Sequence, residues 1–178
     1  MTTDTALEAR VRQALRAIPD YPNPGIVFQD ITPVLGNGGL FRDVVEGMAA
    51  PFRDDGITHV VGIEARGFIL GGAVATSLGA GFVPVRKPGK LPWERVREEY
   101  TLEYGVDALE AHRDGVAAGH RVLIVDDVLA TGGTARAAGT LASGLGAELV
   151  GWSFLLEIGM LQGAARLSRG RLAALVTV

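Results

Sequence analysis

The sequence predicts an α/β fold with a mostly parallel central sheet flanked by helices, and three observations lead there. Short aliphatic runs recur at Val60–Ile63, Phe82–Arg86, Val122–Val125 and Leu149–Leu156. Val122–Val125 shows no polar alternation, as expected of a strand buried on both faces. Helix-length stretches separate several of these runs, and alternating strands and helices imply a parallel sheet. Glycine supplies 25 of the 178 residues, about twice the usual ~7% share, which points to tight turns or close backbone approaches to a ligand.

In chain order, Leu7–Ile18 has helical spacing with charged gaps and is expected to form an amphipathic helix ended by Pro19. Pro22, Pro24, Gly25 and Pro33 then punctuate a segment in which no long regular element is expected. Phe41–Phe52 is the next helix, and Val60–Ile63 a short strand. Gly67–Leu78 is a helix whose small residues allow close packing on a sheet, followed by the strand Phe82–Arg86. The charged and aromatic stretch 90–107 lacks a clean helical face and is expected to be a mobile loop, with a short ribbon at Tyr100–Tyr104. Leu109–Ala118 is expected to be a weak helix. The strand Val122–Val125, a helix over Ala135–Leu145 and the strand Leu149–Leu156 complete the pattern. No internal repeat interrupts it.

Length and composition narrow the function. A chain of this size suits one domain spanning 1–178, since a domain of about 150 residues buries roughly 70% of its unfolded surface. A net charge of −3 without Lys/Arg runs argues against a nucleic-acid partner. The chain has no cysteine, which removes disulfides, thiol nucleophiles and cysteine metal sites. Asp4, Glu8, Arg10 and Arg12 break up the N-terminal apolar residues, so no signal peptide is expected there. No run approaches the ~18 apolar residues of a membrane span. A cytoplasmic protein without membrane association is the expectation. His59, His112 and His120 fall in unrelated positions without metal-ligand spacing, and are expected to be structural or solvent-facing.

The most informative string is Val122-Leu-Ile-Val-Asp-Asp-Val-Leu-Ala-Thr-Gly-Gly-Thr134. It places Asp126 and Asp127 at the carboxyl end of a buried strand, where open α/β sheets bind ligands. Gly132 and Gly133 let successive N–H groups surround a phosphate, and Thr131 and Thr134 add hydroxyls. The following helix would turn its positive end to the same anion. Carboxylates suit the 2- and 3-hydroxyls of a ribose whose 5-phosphate the loop holds. A Walker-type loop would need a lysine that is absent. The Gly-x-Gly pairs at Gly36, Gly79 and Gly144 meet Phe41, Pro84 and Leu149 where a dinucleotide fingerprint needs its third glycine.

Two further strings complement it. Glu64-Ala-Arg-Gly-Phe68 repeats the strand-loop-helix layout and supplies Arg66 as a charged fork beside Gly67, which suits a diphosphate. The only two lysines, Lys87 and Lys90, fall with Arg86 in one short loop, Val85-Arg-Lys-Pro-Gly-Lys-Leu-Pro92, and such crowding of cations needs an anion to offset it.

The first of these strings resembles the phosphoribosyl-diphosphate (PRPP) motif of the type I phosphoribosyltransferases. Its Ala-Thr-Gly-Gly-Thr ending is most similar to the adenine-specific branch, and the other two strings look like that branch's diphosphate loop and cation loop. The resemblance runs from about Tyr21 to Glu157 and implies the type I fold with a small N-terminal hood over about 20–35. It implies transfer of the 5-phosphoribosyl group from PRPP to adenine, giving AMP and diphosphate. PRPP would be held by Asp126, Asp127, Ala130, Thr131, Gly132, Gly133, Thr134, Arg66, Gly67, Arg86, Lys87, Lys90 and Tyr104. Tyr21–Pro33 is similar to the hood segment, in which Val27 and Phe28 would pack on the base. Gln29 departs from the arginine that many members carry.

Tyr100-Thr-Leu-Glu-Tyr-Gly105 resembles the family's catalytic loop, which makes Glu103 the proton donor and acceptor and, with Arg66, a catalytic residue. Related enzymes often have a non-proline cis peptide in the diphosphate loop, so Glu64–Ala65 is the expected bond. Mg²⁺ is implied as cofactor, held mainly through PRPP oxygens with no dedicated protein ligand set. A homodimer is implied by the same resemblance. The rival readings are a phosphoribosyltransferase for another base, such as xanthine or orotate, and a non-catalytic PRPP-sensing regulator.

Overall fold

The computed structural model describes residues 5–102, 105–167 and 169–178. Five parallel strands form the central sheet in the order β4-β3-β7-β8-β9: β3 is His59–Ile63, β4 Gly81–Val85, β7 Arg121–Leu129, β8 Glu148–Glu157 and β9 Arg171–Thr177. The unalternating run at Val122–Val125 is explained directly. Leu123 and Val125 join the core on one face with Val60, while Val122 and Ile124 join the core on the other with Val61 and Ile63. Each is almost completely removed from solvent, and burying a side chain of this size contributes about 1.5–3 kcal/mol.

The two helices that follow β3 and β7 lie on opposite faces. Helix α4 (Arg66–Leu78) sets Leu70, Val74 and Ala75 into the first core, together with α1 (Thr5–Ala14), α2 (Thr32–Gly36) and α3 (Gly38–Ala49). Helix α5 (Gly133–Gly144) sets Ala135, Ala137, Ala138, Leu141 and Ala142 into the second. From β3 the chain moves outward to β4, and from β7 it moves the other way to β8. The topological switch point therefore lies between β3 and β7, and ligands of open α/β sheets bind outside it. Both motif loops start there.

Several elements differ from the sequence expectation. The first helix stops at Ala14, and Arg16–Pro19 forms β1, paired antiparallel with β2 (Val27–Asp30) so that Ile18 faces Phe28. The expected weak helix at Leu109–Ala118 is instead largely strand. β5 (Arg95–Leu102) and β6 (Gly105–His112) pair from Arg95↔His112 to Leu102↔Gly105, a ribbon much longer than the one expected at Tyr100–Tyr104. Ala108, Leu109 and Glu110 favour a helix by propensity, but Leu109 and Ala111 are buried beside α5 in the second core. Tertiary packing overrides a weak local preference here. The last strand, β9, has no counterpart among the expected elements; it covers the outer edge of β8.

The histidines are not unrelated in space. The rings of His59 and His120 stack at 4.1 Å between centroids. Burial, and then the neighbouring His120, push the His59 pKa down. No described helix is long and apolar enough to cross a membrane.

Candidate active site

The acid pair lies further inside its strand than expected. Strand β7 pairs with β3 only as far as Gly62↔Val125, but continues beside β8 through Asp126↔Phe154 to Leu129↔Glu157. Asp126 and Asp127 thus begin where β3 has ended, and one side of β7 at this point is open to the loop leading into α4. Gly67, in the first turn of α4, makes the approach possible. A Cβ there would lie 2.6 Å from Asp126 Oδ1 and 3.1 Å from the Val125 carbonyl. Asp126 Oδ1 also accepts a 2.9 Å hydrogen bond from the Asp127 amide. Burial, and next the Asp127 carboxylate, push the Asp126 pKa well above the usual carboxylate range.

Arg66 joins the two motif loops. Its Nε donates to Asp127 Oδ2, and its guanidinium lies 5.4 Å from the centroid of the Phe28 ring. Burial opposes the charge of Arg66, but the bond to Asp127 outweighs it and raises its pKa. Phe28 in turn packs edge-on against Tyr21 at 5.3 Å. Val27 is 53% exposed on the same hairpin. The Glu64–Ala65 peptide is cis, as is Tyr21–Pro22.

The loop Ala130–Thr134 has a different character. Gly132 has φ +80° and is the N-cap residue of α5, with no side chain capping the helix. The first amides of α5 are thus free of a side-chain cap. Together with Asp126, Val128, Leu129 and Ala135, residues Ala130–Thr134 line a cavity of about 80 Å³. A Lys or Arg side chain is absent from this lining.

The cation loop is held by carboxylates that local sequence does not mark as its partners. Glu64 Oε1 accepts from Lys90 Nζ at 2.8 Å and from Arg86 Nη2 at 3.1 Å, while Oε2 accepts from the Lys87 amide at 3.1 Å. Burial alone would raise the Glu64 pKa, but the hydrogen bonds from Lys90, Arg86 and the Lys87 amide bring it down to about 2. Lys87 Nζ donates to the Tyr100 hydroxyl at 2.7 Å and to Asp107 Oδ2, tying this loop to the β5–β6 ribbon. Burial lowers and these two bonds raise the Lys87 pKa, with a net rise. Glu110, only 4% exposed, accepts from the Gly89 amide at 3.0 Å and pairs with Arg95 at 3.1 Å.

The signal for these acids was present. Three cations crowded into one loop require counter-charges; Glu64 directly follows β3, and Asp107 and Glu110 lie within β6. Which acid meets which cation depends on strand order. The structure therefore brings together Arg66, Gly67, Asp126, Asp127 and Phe28, and sets Arg86, Lys87 and Lys90 around Glu64. Glu103 and Tyr104 lie outside the described residues. Among the described residues no group of three or more His, Asp or Glu is arranged to hold a metal ion.

Comparison with known proteins fits this geometry. Residues 35–161 match the model of the phosphoribosyl transferase domain. The chain belongs to the phosphoribosyltransferase family. An adenine phosphoribosyltransferase of Myxococcus xanthus is 57% identical over 175 residues, covering 98% of this chain and 95% of the relative. Among solved phosphoribosyltransferase structures, the adenine enzyme of Rhodothermus marinus superposes with a TM-score of 0.94 at 50% identity, over 98% of this chain and 100% of that one. The Saccharomyces cerevisiae enzyme, complexed with an imino-altritol bisphosphate and adenine, gives 0.90 at 39% identity, over 96% and 99% of the two chains.

Proposed function

We infer that this phosphoribosyltransferase makes AMP and diphosphate from adenine and PRPP, in purine salvage. The observation that carries the reading is the pairing of two anion loops across the switch point, with Asp126 and Asp127 between them. A ribose seated on the acids can reach an uncharged amide loop with its 5-phosphate and a cationic loop with its diphosphate. The choice of adenine rests on the relatives named above.

In this reading residues 1–178 act as one catalytic domain, with the hood at about 20–35 and the loop 90–107 closing over the substrates. Ala130, Thr131, Gly132, Gly133 and Thr134 hold the 5-phosphate through amides and hydroxyls. The ring nitrogen of adenine bonds to the anomeric carbon as the bond from that carbon to the diphosphate oxygen breaks. Positive charge grows on the ribose meanwhile, and the acid pair lowers its cost. Arg66, Gly67, Arg86, Lys87 and Lys90 take up the charge of the departing diphosphate. To do so Arg66 and Lys87 exchange Asp127 and Asp107 for phosphate oxygens. Phe28 and Val27 pack on the base. Tyr104 contacts PRPP, and Glu103 exchanges a proton with the imidazole nitrogen of adenine across the ring from the reacting one.

Magnesium fits this donor set as an ion carried in with the substrate. Mg²⁺ prefers hard oxygens and usually keeps waters and substrate phosphates as ligands, and a cage of three protein carboxylates is absent among the described residues. When bound it would neutralise diphosphate charge. The reading includes a homodimer and a cytoplasmic location, tested by light scattering and by cell fractionation.

The decisive experiment is a base panel with PRPP and Mg²⁺, following diphosphate release. Adenine should be used in strong preference to hypoxanthine, guanine, xanthine and orotate, because groups placed for an amino edge are left unpaired by an oxo base. Equal turnover of hypoxanthine would overturn the assignment. Binding of PRPP without turnover of any base would favour a sensing protein.

A further inference from the structure

The segment between β8 and β9 was silent in the sequence, yet its backbone lies directly against the phosphate loop. It runs through two short 3-10 turns, Gly159–Leu161 and Gly163–Arg166. A Cβ on Gly163 would lie 2.1 Å from the Ala130 carbonyl oxygen and 3.1 Å from the Gly132 amide nitrogen. The relation is mutual: a Cβ on Gly132 would lie 2.5 Å from the Gly163 carbonyl oxygen and 3.4 Å from Arg166 Cβ. Two backbones thus meet with no side chain between them, and each glycine is required by the other strand of chain.

Of the two partners, the turn is the one held in place from behind. On one side, Ile158 N donates to the Leu129 carbonyl at 2.9 Å and Gly159 N to the Val178 carbonyl at 2.9 Å. Ala164 and Leu167 pack against the second core, and the Trp152 indole donates to the Arg169 carbonyl at 2.9 Å. On the other side, the phosphate loop joins β7 to α5, and its residues Ala130–Thr134 line the cavity. Any atom inserted between the two must push the loop towards that cavity. The loop has no charged side chain to rescue binding, since its affinity depends on where its amides point.

We propose that Gly163 is a positioning residue for the 5-phosphate: the turn Gly163–Arg166 is the fixed backing that holds the amides of Ala130–Thr134 in the geometry the phosphate needs. The inference deepens the functional reading above and rests on it. Gly163 does not have a positive φ, so an alanine can adopt its backbone conformation and the substitution tests the close approach alone.

The experiment compares wild type with Gly163→Ala and with Gly144→Ala, a position in α5 where a Cβ meets nothing within 4 Å. The probes are ribose 5-phosphate and inorganic diphosphate, bound separately, with steady-state kinetics alongside. Gly163→Ala should weaken ribose 5-phosphate binding and raise KM for PRPP on the order of ten- to a hundredfold, the scale of a misplacement of about 1 Å. Diphosphate affinity and KM for adenine should stay near wild type, and Gly144→Ala should match wild type throughout. A loss merely of stability would not separate the two anions.

If Gly163→Ala does not fold, hydrogen exchange on the wild-type protein decides. The amides of residues 163–166 should gain protection with ribose 5-phosphate and none with diphosphate. Unchanged ribose 5-phosphate affinity in Gly163→Ala, or equal protection by both anions, would overturn the inference. Wild type that fails to turn over adenine and PRPP would instead overturn the functional reading.

Discussion

The two loops proposed to hold the anions of PRPP would solve one electrostatic problem in opposite ways. Around Gly132 the lining holds no cationic side chain and the geometry is set by backbone, a helix start and a second stretch of chain behind it. Around Lys87 the charge is on side chains, each already met by a carboxylate of the protein: Glu64 for Arg86 and Lys90, Asp107 for Lys87, and Asp127 for Arg66. A backbone site is built once, when the fold forms. An ion-paired site can exchange partners, because a phosphate oxygen can take the place of a carboxylate oxygen. The first arrangement suits a group that stays attached throughout the reaction, the second a group that arrives and leaves.

The largest expected effect comes from a residue in neither loop. Glu103→Gln should lower kcat by ~10²–10⁴-fold, the usual contribution of a general acid-base step, while ribose 5-phosphate and diphosphate bind as before. Single-turnover assays at saturating substrates measure this. A parallel loss of either affinity would place Glu103 among the binding groups and blur the division between binding loops and a reacting loop.

Gly132→Ala attacks the backbone site directly. The residue has φ +80° and sits 2.5 Å, at its would-be Cβ, from Gly163 O. Strain and overlap should together cost on the order of ten- to a hundredfold in ribose 5-phosphate affinity, with diphosphate binding retained. Equal losses for both anions would show that the two loops do not act separately.

Asp127→Asn keeps the volume but removes the carboxylate that Arg66 faces and that the sugar is proposed to use. A hydrogen bond to a charged group is worth about 1.5–3 kcal/mol, so PRPP affinity and turnover should fall roughly ten- to a hundredfold while the melting temperature changes little. Wild-type affinity and turnover would show that this acid does not serve the sugar.

A smaller effect separates the loops by salt. The cation-loop side chains are partly exposed, Lys90 at 47% and Lys87 at 36%, so their attraction for diphosphate should weaken between low and physiological ionic strength. Ribose 5-phosphate, proposed to be held by amides, should respond less. Identical salt slopes in titration calorimetry would sink the contrast.

The smallest effect is in acid. Glu64 is depressed from an ordinary value of 4.5 to about 2, so its pairs stabilise the fold fully above pH 4.5 and lose that contribution as pH falls towards 2. Glu64→Gln should therefore melt lower than wild type near neutrality, with the difference shrinking as acid is added below pH 4.5. A constant difference down to pH 2 would mean that the Glu64 cluster contributes no charge-dependent stability.

Much of this molecule could be read without coordinates. The aliphatic runs at Val60, Phe82, Val122 and Leu149 mark four of the five sheet strands, most clearly at Val122–Val125, because a strand buried on both faces has to be apolar throughout. The strings around Asp126, Arg66 and Lys87 identified the candidate site residues, since a phosphate needs amides or cations and a ribose needs acceptors. Both signals are local, and local chemistry survives in one dimension.

What remained hidden is everything that depends on which pieces of chain meet. Leu109 and Ala111 became strand because α5 and the second core cover them, against their own helical preference. Nothing in Gly163 announces that Ala130 O will lie against it, and Glu64 is an unremarked acid until strand order brings Arg86 and Lys90 to its oxygens. A sequence fixes which groups each residue can offer. Partners distant along the chain are chosen by packing, and only the tertiary structure decided them here.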